Sequence, residues 1–203
     1  MEILYSDRHI VCAVKEPGVA SQPDPSGRDD MVSLLGAEFG CEIYAVHRLD
    51  TPTGGAMVYA KSSAAAGGAS AALAEGTKQY NALVHGHPGE GVMEDWLYHD
   101  RRINKSFTAK KERKGVKRAL LEYETVKELE DRALVKVTLH TGRTHQIRVQ
   151  FSSRGYPLVG DGKYGSRDRE SLRLWCTRLS FVHPITKKTM VIESPAPEGF
   201  FGI

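Results

Sequence analysis

The chain has 203 residues, 40% of them hydrophobic and 26% charged, with a formal net charge of +3. These values suit a globular protein able to bury its own core, and they exclude a disordered or fibrous polypeptide. No apolar run approaches the roughly 18 residues that a membrane helix needs. The opening MEILYSDRH has neither the basic flank nor the apolar core of a secretion signal.

Residues 3–5 and 10–14 read as the two strands of a hairpin turned by Ser6-Asp7-Arg8. A Pro- and Gly-rich loop follows, and Asp29 or Asp30 is placed to cap a short helix that runs to Phe39 and ends at Gly40. Strands are predicted at 43–46 and 56–60, on either side of a segment from His47 to Gly55. The small residues of 62–73 predict a helix able to approach a sheet closely, despite Gly67-Gly68. Short β-type runs follow at 79–84, 96–98, 119–126 and 133–140. The last sets Val135, Val137 and Leu139 against Leu134, Lys136, Thr138 and His140. Thr144 is placed to cap a short helix through Ser152, and strands at 172–181 and 189–193 close the chain. With no internal repeat and no linker, residues 1–203 read as one α+β domain, a mixed, mainly antiparallel sheet flanked by helices.

Cys12, Cys41 and Cys176 are odd in number, scattered and without CxxC spacing. That pattern suits reduced thiols in the cytoplasm and supports neither a disulfide framework nor a zinc site. Charge is unevenly placed. Residues 101–118 hold Arg101, Arg102, Lys105, Lys110, Lys111, Arg113, Lys114, Lys117 and Arg118 against Glu112 alone, so the rest of the chain is net negative. Such a strip fits contact with a polyanion; a solvated loop kept for solubility is the plain alternative.

Three segments can carry chemistry. In His47-Arg48-Leu49-Asp50-Thr51-Pro52-Thr53-Gly54-Gly55, the proline and glycines make a rigid turn able to hold Asp50 at a strand end. An aspartate that only bonds the amides of its own turn fits equally. In Thr141-Gly142-Arg143-Thr144-His145-Gln146-Ile147-Arg148, Arg148 falls in the first turns of a helix, where the dipole opposes a cation. Some anion must favour it there, unless it is a solvated arginine. Ile147 and Phe151 share a helix face. Tyr80 and Ala82 share a face of the strand Lys78-Gln79-Tyr80-Asn81-Ala82-Leu83-Val84, and such a tyrosine is ordinarily core.

Together these segments resemble the RluA family of pseudouridine synthases, from about Val14 to Pro184. His47-Arg48-Leu49-Asp50, with Thr53 and Gly55, is similar to that family's catalytic motif. Gly142 to Val149, followed by Gly160-Asp161 and Tyr164-Gly165, resembles its arginine motif, and Lys78, Tyr80, Val84 and Gly86 its tyrosine-bearing strand. Gly54 stands where the family usually has serine, and Glu16 where it usually has proline.

The resemblance implies that uridine in RNA is isomerised: the N1 glycosidic bond breaks, the base turns, and C5 is joined to the sugar. Nothing is oxidised or added, so neither cofactor nor metal is expected. Asp50 would be the catalytic carboxylate and Arg148 its ionic partner, lowering its pKa. Tyr80 would stack on the uracil, Ile147 would wall the base, and Arg48 would fill the gap left by a flipped nucleotide. Arg101, Arg102, Lys105, Lys110, Lys111, Arg113 and Lys114 would follow the backbone of ribosomal or transfer RNA. No separate N-terminal RNA-binding domain, no membrane and no DNA partner are expected, and the chain is expected to act as a monomer. A non-catalytic RNA-binding module explains the charge but not a carboxylate beside an RNA-facing arginine. A hydrolase lacks both a second acid in the Asp50 motif and a Gly-x-Ser-x-Gly segment.

Overall fold

The computed structural model describes residues 1–203. In chain order its elements are β1 (Ile3–Ser6), β2 (Ile10–Lys15), α1 (Met31–Phe39), β3 (Tyr44–Ala45), β4 (Gly54–Ala60), α2 (Ser63–Glu75) and β5 (Thr77–His85). Then come β6 (Gly91–Asp100), β7 (Lys105–Ala109), β8 (Val116–Glu128), β9 (Arg132–Leu139), α3 (Gln146–Ser152), a 3-10 turn at Gly162–Tyr164, β10 (Leu174–Val182) and β11 (Thr189–Glu193). The architecture is α+β with a mixed sheet. The residues group into two compact units, Met1–Lys78 with Trp175–Pro197, and Gln79–Leu174 with Glu198–Ile203. The chain crosses between them three times, within β5, at the start of β10, and after Pro197 beyond the last strand, so no linker composition marks the first two crossings.

In the first unit, Asp7 turns the β1–β2 hairpin by accepting the amides of His9 and Ile10 on one oxygen, at 2.7 and 2.8 Å. β2 and β4 are buried along their whole length and pair antiparallel from Ile10–Ala60 to Lys15–Gly55. Burial on both faces explains their unbroken apolar runs. β3 pairs antiparallel with the end of β4, β10 pairs parallel with its start, and β11 runs antiparallel to β10. Asp30 caps α1 by accepting the Ser33 amide, and Gly40 ends it at φ 61°, as predicted. Ser62 caps α2, which buries Ala65, Ala69 and Leu73 at intervals of four and packs on β4. Small side chains on that stripe let helix and strand approach closely.

The glycine pair at the start of β4 is shaped by β10. A Cβ on Gly54 would lie 2.2 Å from Cζ3 of Trp175, and one on Gly55 (φ 117°) would lie 2.3 Å from the Cys176 carbonyl oxygen. The indole therefore occupies the room that a serine at position 54 would need. Gly54→Ser is expected to destabilise the protein by about 1–3 kcal/mol through overpacking, seen as a lower thermal midpoint. The same change should cost less in a Trp175→Leu background; an equal cost in both backgrounds would remove the indole as the cause.

In the second unit β6 to β9 form an antiparallel sheet in the order β7-β6-β8-β9. β6 pairs with β7 on one side and β8 on the other, and β8 pairs with β9 through a bulge between Thr125 and Lys127. β9 alternates as predicted except at Leu134, which is buried with Leu83 and Val159 in a small cluster of its own. α3 packs against β6 and β7, and Leu97, Ala119, Val149 and Tyr164 form a core cluster beneath it. Two expectations need correction. The basic stretch contains β7, and the strand predicted at 96–98 extends over ten residues. Glu94, Asp95 and Asp100 interrupt the apolar pattern of the one, and Lys105 and Lys110 hide the short alternation of the other.

Candidate active site

The first unit carries Arg48 and Asp50 on the turn between β3 and β4. The backbone is pinned on both sides of Asp50. Leu49, buried, gives its amide to the Ser21 hydroxyl at 3.1 Å and takes that hydroxyl's proton on its carbonyl at 2.8 Å. The Thr51 carbonyl accepts the Gly18 amide at 2.8 Å, and the Thr53 amide donates to the Asp50 carbonyl at 2.9 Å. The turn is closed from below by Lys15, which is fully buried. Its ammonium donates to the carbonyls of Glu16 (3.1 Å), Val19 (2.8 Å) and Thr51 (3.0 Å). Burial pulls the Lys15 pKa down to about 8, against the opposing pull of the Asp50 and Glu16 charges. Three carbonyls and a nearby carboxylate make this an ammonium site, and it ties the turn to the end of β2. The sequence reading gave Lys15 no role, although an apolar strand ending in lysine was the available signal.

His47 at the head of the turn accepts the Val58 amide on Nε2 at 2.9 Å, which places its proton on Nδ1. Desolvation, helped by the Lys78 ammonium, lowers its pKa to about 3, so the ring stays neutral and structural. Arg48 is exposed, Asp50 half-buried and Thr53 buried.

The second unit carries Tyr80, Ile147, Arg148 and the basic strip. Tyr80 and Ile147 are buried, on β5 and α3 respectively. The helix start departs from the expected Thr144 cap. His145 is the capping position, in the left-handed region at φ 56° and without a side-chain capping bond. Gln146 does the fastening instead. Its amide oxygen accepts from the Thr141 hydroxyl (2.8 Å) and the Arg143 amide (3.0 Å), and its nitrogen donates to the Leu120 carbonyl at 3.1 Å. The Thr144 carbonyl is held by the Ser106 hydroxyl at 2.6 Å.

Arg148 is only 5% exposed, and an anion does favour it. Its Nε and Nη2 donate to the two oxygens of Asp161 at 2.7 and 2.8 Å, a bidentate fork. Tyr164 supports this pair: its ring centroid is 5.1 Å from the guanidinium carbon. Its hydroxyl accepts the Ser106 amide of β7 at 2.7 Å and lies 2.9 Å from Nδ1 of His145. Sequence reasoning quoted Asp161 within the arginine motif but gave it no role of its own. The signal was present in Gly160-Asp161, since Gly160 (φ 77°) has no room for a Cβ, which would fall 2.2 Å from the Ser171 carbonyl oxygen.

Arg101, Arg102, Lys110, Lys111, Arg113 and Lys114 are exposed on the turns flanking β7, and Lys105 is half-buried, its ammonium 5.2 Å from the Tyr164 ring. Arg118 is engaged by Glu94 at 2.5 Å.

A family model described as RNA pseudouridylate synthase matches residues 9–153. The chain belongs to that family. The resemblance drawn from the three motifs is therefore borne out, and the protein is an RNA pseudouridine synthase, an isomerase. It is 31% identical to the RNA pseudouridine synthase YhcT of Bacillus subtilis, over 97% of this chain and 69% of that protein. It is 29% identical to ribosomal large subunit pseudouridine synthase D of Zymomonas mobilis, over 98% and 70%. Among solved structures it is similar to human RNA pseudouridylate synthase domain containing 1, with a TM-score of 0.81 and 25% identity over 97% of this chain and 83% of that one. The family match ends before Asp161 and Tyr164, so their part in the arginine's setting rests on the geometry described above. No helix is long and apolar enough to cross a membrane.

Proposed function

We propose that the enzyme isomerises uridines of structured ribosomal or transfer RNA by flipping the base and acting on it through Asp50. The observation that carries this reading is the Asp50 turn. A carboxylate within the His47-Arg48-Leu49-Asp50 motif is held by backbone bonds on both sides and closed by a buried ammonium. That is the rigidity a catalytic group needs. Arg148, its guanidinium oriented by Asp161, is the cation assigned to the Asp50 carboxylate. Tyr80 stacks on the uracil, Ile147 walls it, and Arg48 fills the gap in the RNA. The C1′–N1 bond breaks, a C1′–C5 bond forms, C5 gives up its proton and N1 gains one, so the base is rearranged with nothing added and no cofactor. The exposed cations from Arg101 to Lys114 hold phosphates and make binding salt-dependent.

The likeness to a ribosomal large subunit synthase supports ribosomal RNA as one substrate. We place the enzyme in the cytoplasm, where the absence of a disulfide among Cys12, Cys41 and Cys176 suits a reducing environment. It acts there as one catalytic domain over residues 1–203 and as a monomer, on RNA and not DNA. The test is a panel of structured ribosomal and transfer RNA fragments carrying 5-fluorouridine. At least one is expected to give a tight adduct or a rearranged nucleoside by mass spectrometry. A folded enzyme that leaves the whole panel unchanged would sink the reading.

A further inference from the structure

The antiparallel sheet of the second unit has one face that is poorly explained by folding. Leu97 and Met93 of β6 point inward and are buried. The alternate residues Val92, Glu94, Trp96 and Tyr98 point outward. On a solvent face, polar side chains are expected. Here Tyr98 is 39% exposed and Phe107, its direct cross-strand partner on β7, is 41% exposed. Trp96, partly exposed, stands two residues along the same face, opposite Arg118 of β8. Three aromatic rings thus lie side by side on one sheet surface, with the Lys105 ammonium 5.7 Å from the Phe107 ring.

The setting of these rings selects the partner. They sit on the hairpin whose turns expose Arg101, Arg102, Lys110, Lys111, Arg113 and Lys114, where Glu112 is the only acid between residues 101 and 118. A single nucleic-acid strand offers a flat π-face and a negative charge in every residue, which answers both features at once. A duplex hides its base faces and answers only the charge. We propose that the outward face formed by Trp96, Tyr98 and Phe107 is a stacking platform for unpaired bases of the substrate RNA, beside the phosphate-holding cations. The platform rests on the RNA-modifying reading above and adds to it a preference for single-stranded segments next to the target.

Trp96 reports on the platform directly, because Trp175, the other tryptophan, is 1% exposed and serves as an internal reference. Titration with a short oligouridylate is expected to quench Trp96 emission, and a duplex of equal length should quench it far less. Tyr98→Ala and Phe107→Ala should each weaken oligouridylate binding roughly tenfold, while Phe107→Tyr, which keeps the ring, should bind as the wild type does. Lys114→Ala should instead reduce the salt dependence and leave the quenching intact. Alanine variants that bind and quench like the wild type would overturn the platform, and turnover of 5-fluorouridine RNA by the same preparations would leave the enzymatic reading standing. A wild type that neither binds nor converts RNA would overturn both. Concentration-dependent dimerisation lost in Phe107→Ala, with RNA affinity unchanged, would assign the face to a second copy of the chain and also overturn the proposal.

Discussion

Asp50→Asn is expected to lower pseudouridine formation by about a thousandfold or more while RNA affinity stays close to that of the wild type. The size follows from removing a group that acts on the reacting bond, for which general acid–base and nucleophilic roles commonly supply about 10²–10⁴-fold. Asparagine keeps the shape and leaves the backbone bonds of the turn in place, since these run through the Leu49 and Thr51 carbonyls and the Thr53 amide rather than through the side chain. Loss of the carboxylate charge also removes one of the two attractions that raise the Lys15 pKa, so that ammonium becomes easier to deprotonate. The Lys15 bonds to three carbonyls remain, so the thermal midpoint should move little. Single-turnover rates and equilibrium RNA binding on the same preparation decide the matter. A binding protein without catalysis predicts equal or tighter RNA binding and no turnover to lose. A variant that keeps most of its turnover would remove Asp50 from the chemistry.

What the sequence disclosed, and what it hid, follows from the range of the interactions involved. Local signals were legible. Asp30 and Gly40 bracket α1 because a side-chain oxygen and a residue free of Cβ solve the two ends of a helix within a few positions. β2 and β4 were legible as apolar runs. The failures are non-local. Thr144 was the obvious cap by spacing, yet Gln146 reaches back to Thr141, Arg143 and the Leu120 carbonyl, the last on a different strand. β7 pairs with β6, and its two strand-forming residues, Phe107 and Thr108, make too short a run to stand out beside the flanking charges. The division into two units was hidden because two of its three crossings lie within strands and the third falls only six residues from the end of the chain. The site shows the same pattern. Asp50 and Arg148 stood out by motif, and the helix dipole pointed to an anion near Arg148, with a solvated arginine as the alternative. The identity of that anion, thirteen residues along the chain, was not legible.

Asp161 is where the second large effect is expected, and it separates structural support from chemistry. Its carboxylate and the Arg148 guanidinium are both removed from solvent, with side chains 1% and 6% exposed. Replacing such a pair with well-packed apolar residues can be neutral, whereas removing one partner strands a charge in a site of low polarity, at about 3–5 kcal/mol. Asp161→Asn keeps one acceptor oxygen but turns the other into a donor facing a donor, so the fork cannot form. The thermal midpoint is expected to fall by roughly 6–20 °C for a chain of this size. Turnover should fall with it, even at temperatures where the variant is fully folded, because the guanidinium loses the carboxylate that sets its direction. Arg148→Lys provides the contrast: it retains a cation but loses the planar fork, so it should also lose turnover. Tyr164→Phe gives the finer reading. It removes the hydroxyl that accepts the Ser106 amide and meets His145, yet leaves the ring beside the guanidinium. If Tyr164→Phe lowers stability and keeps turnover per folded molecule while Asp161→Asn loses both, the orientation of Arg148 is the quantity that catalysis depends on. If Asp161→Asn keeps wild-type turnover when folded, the fork serves the fold alone.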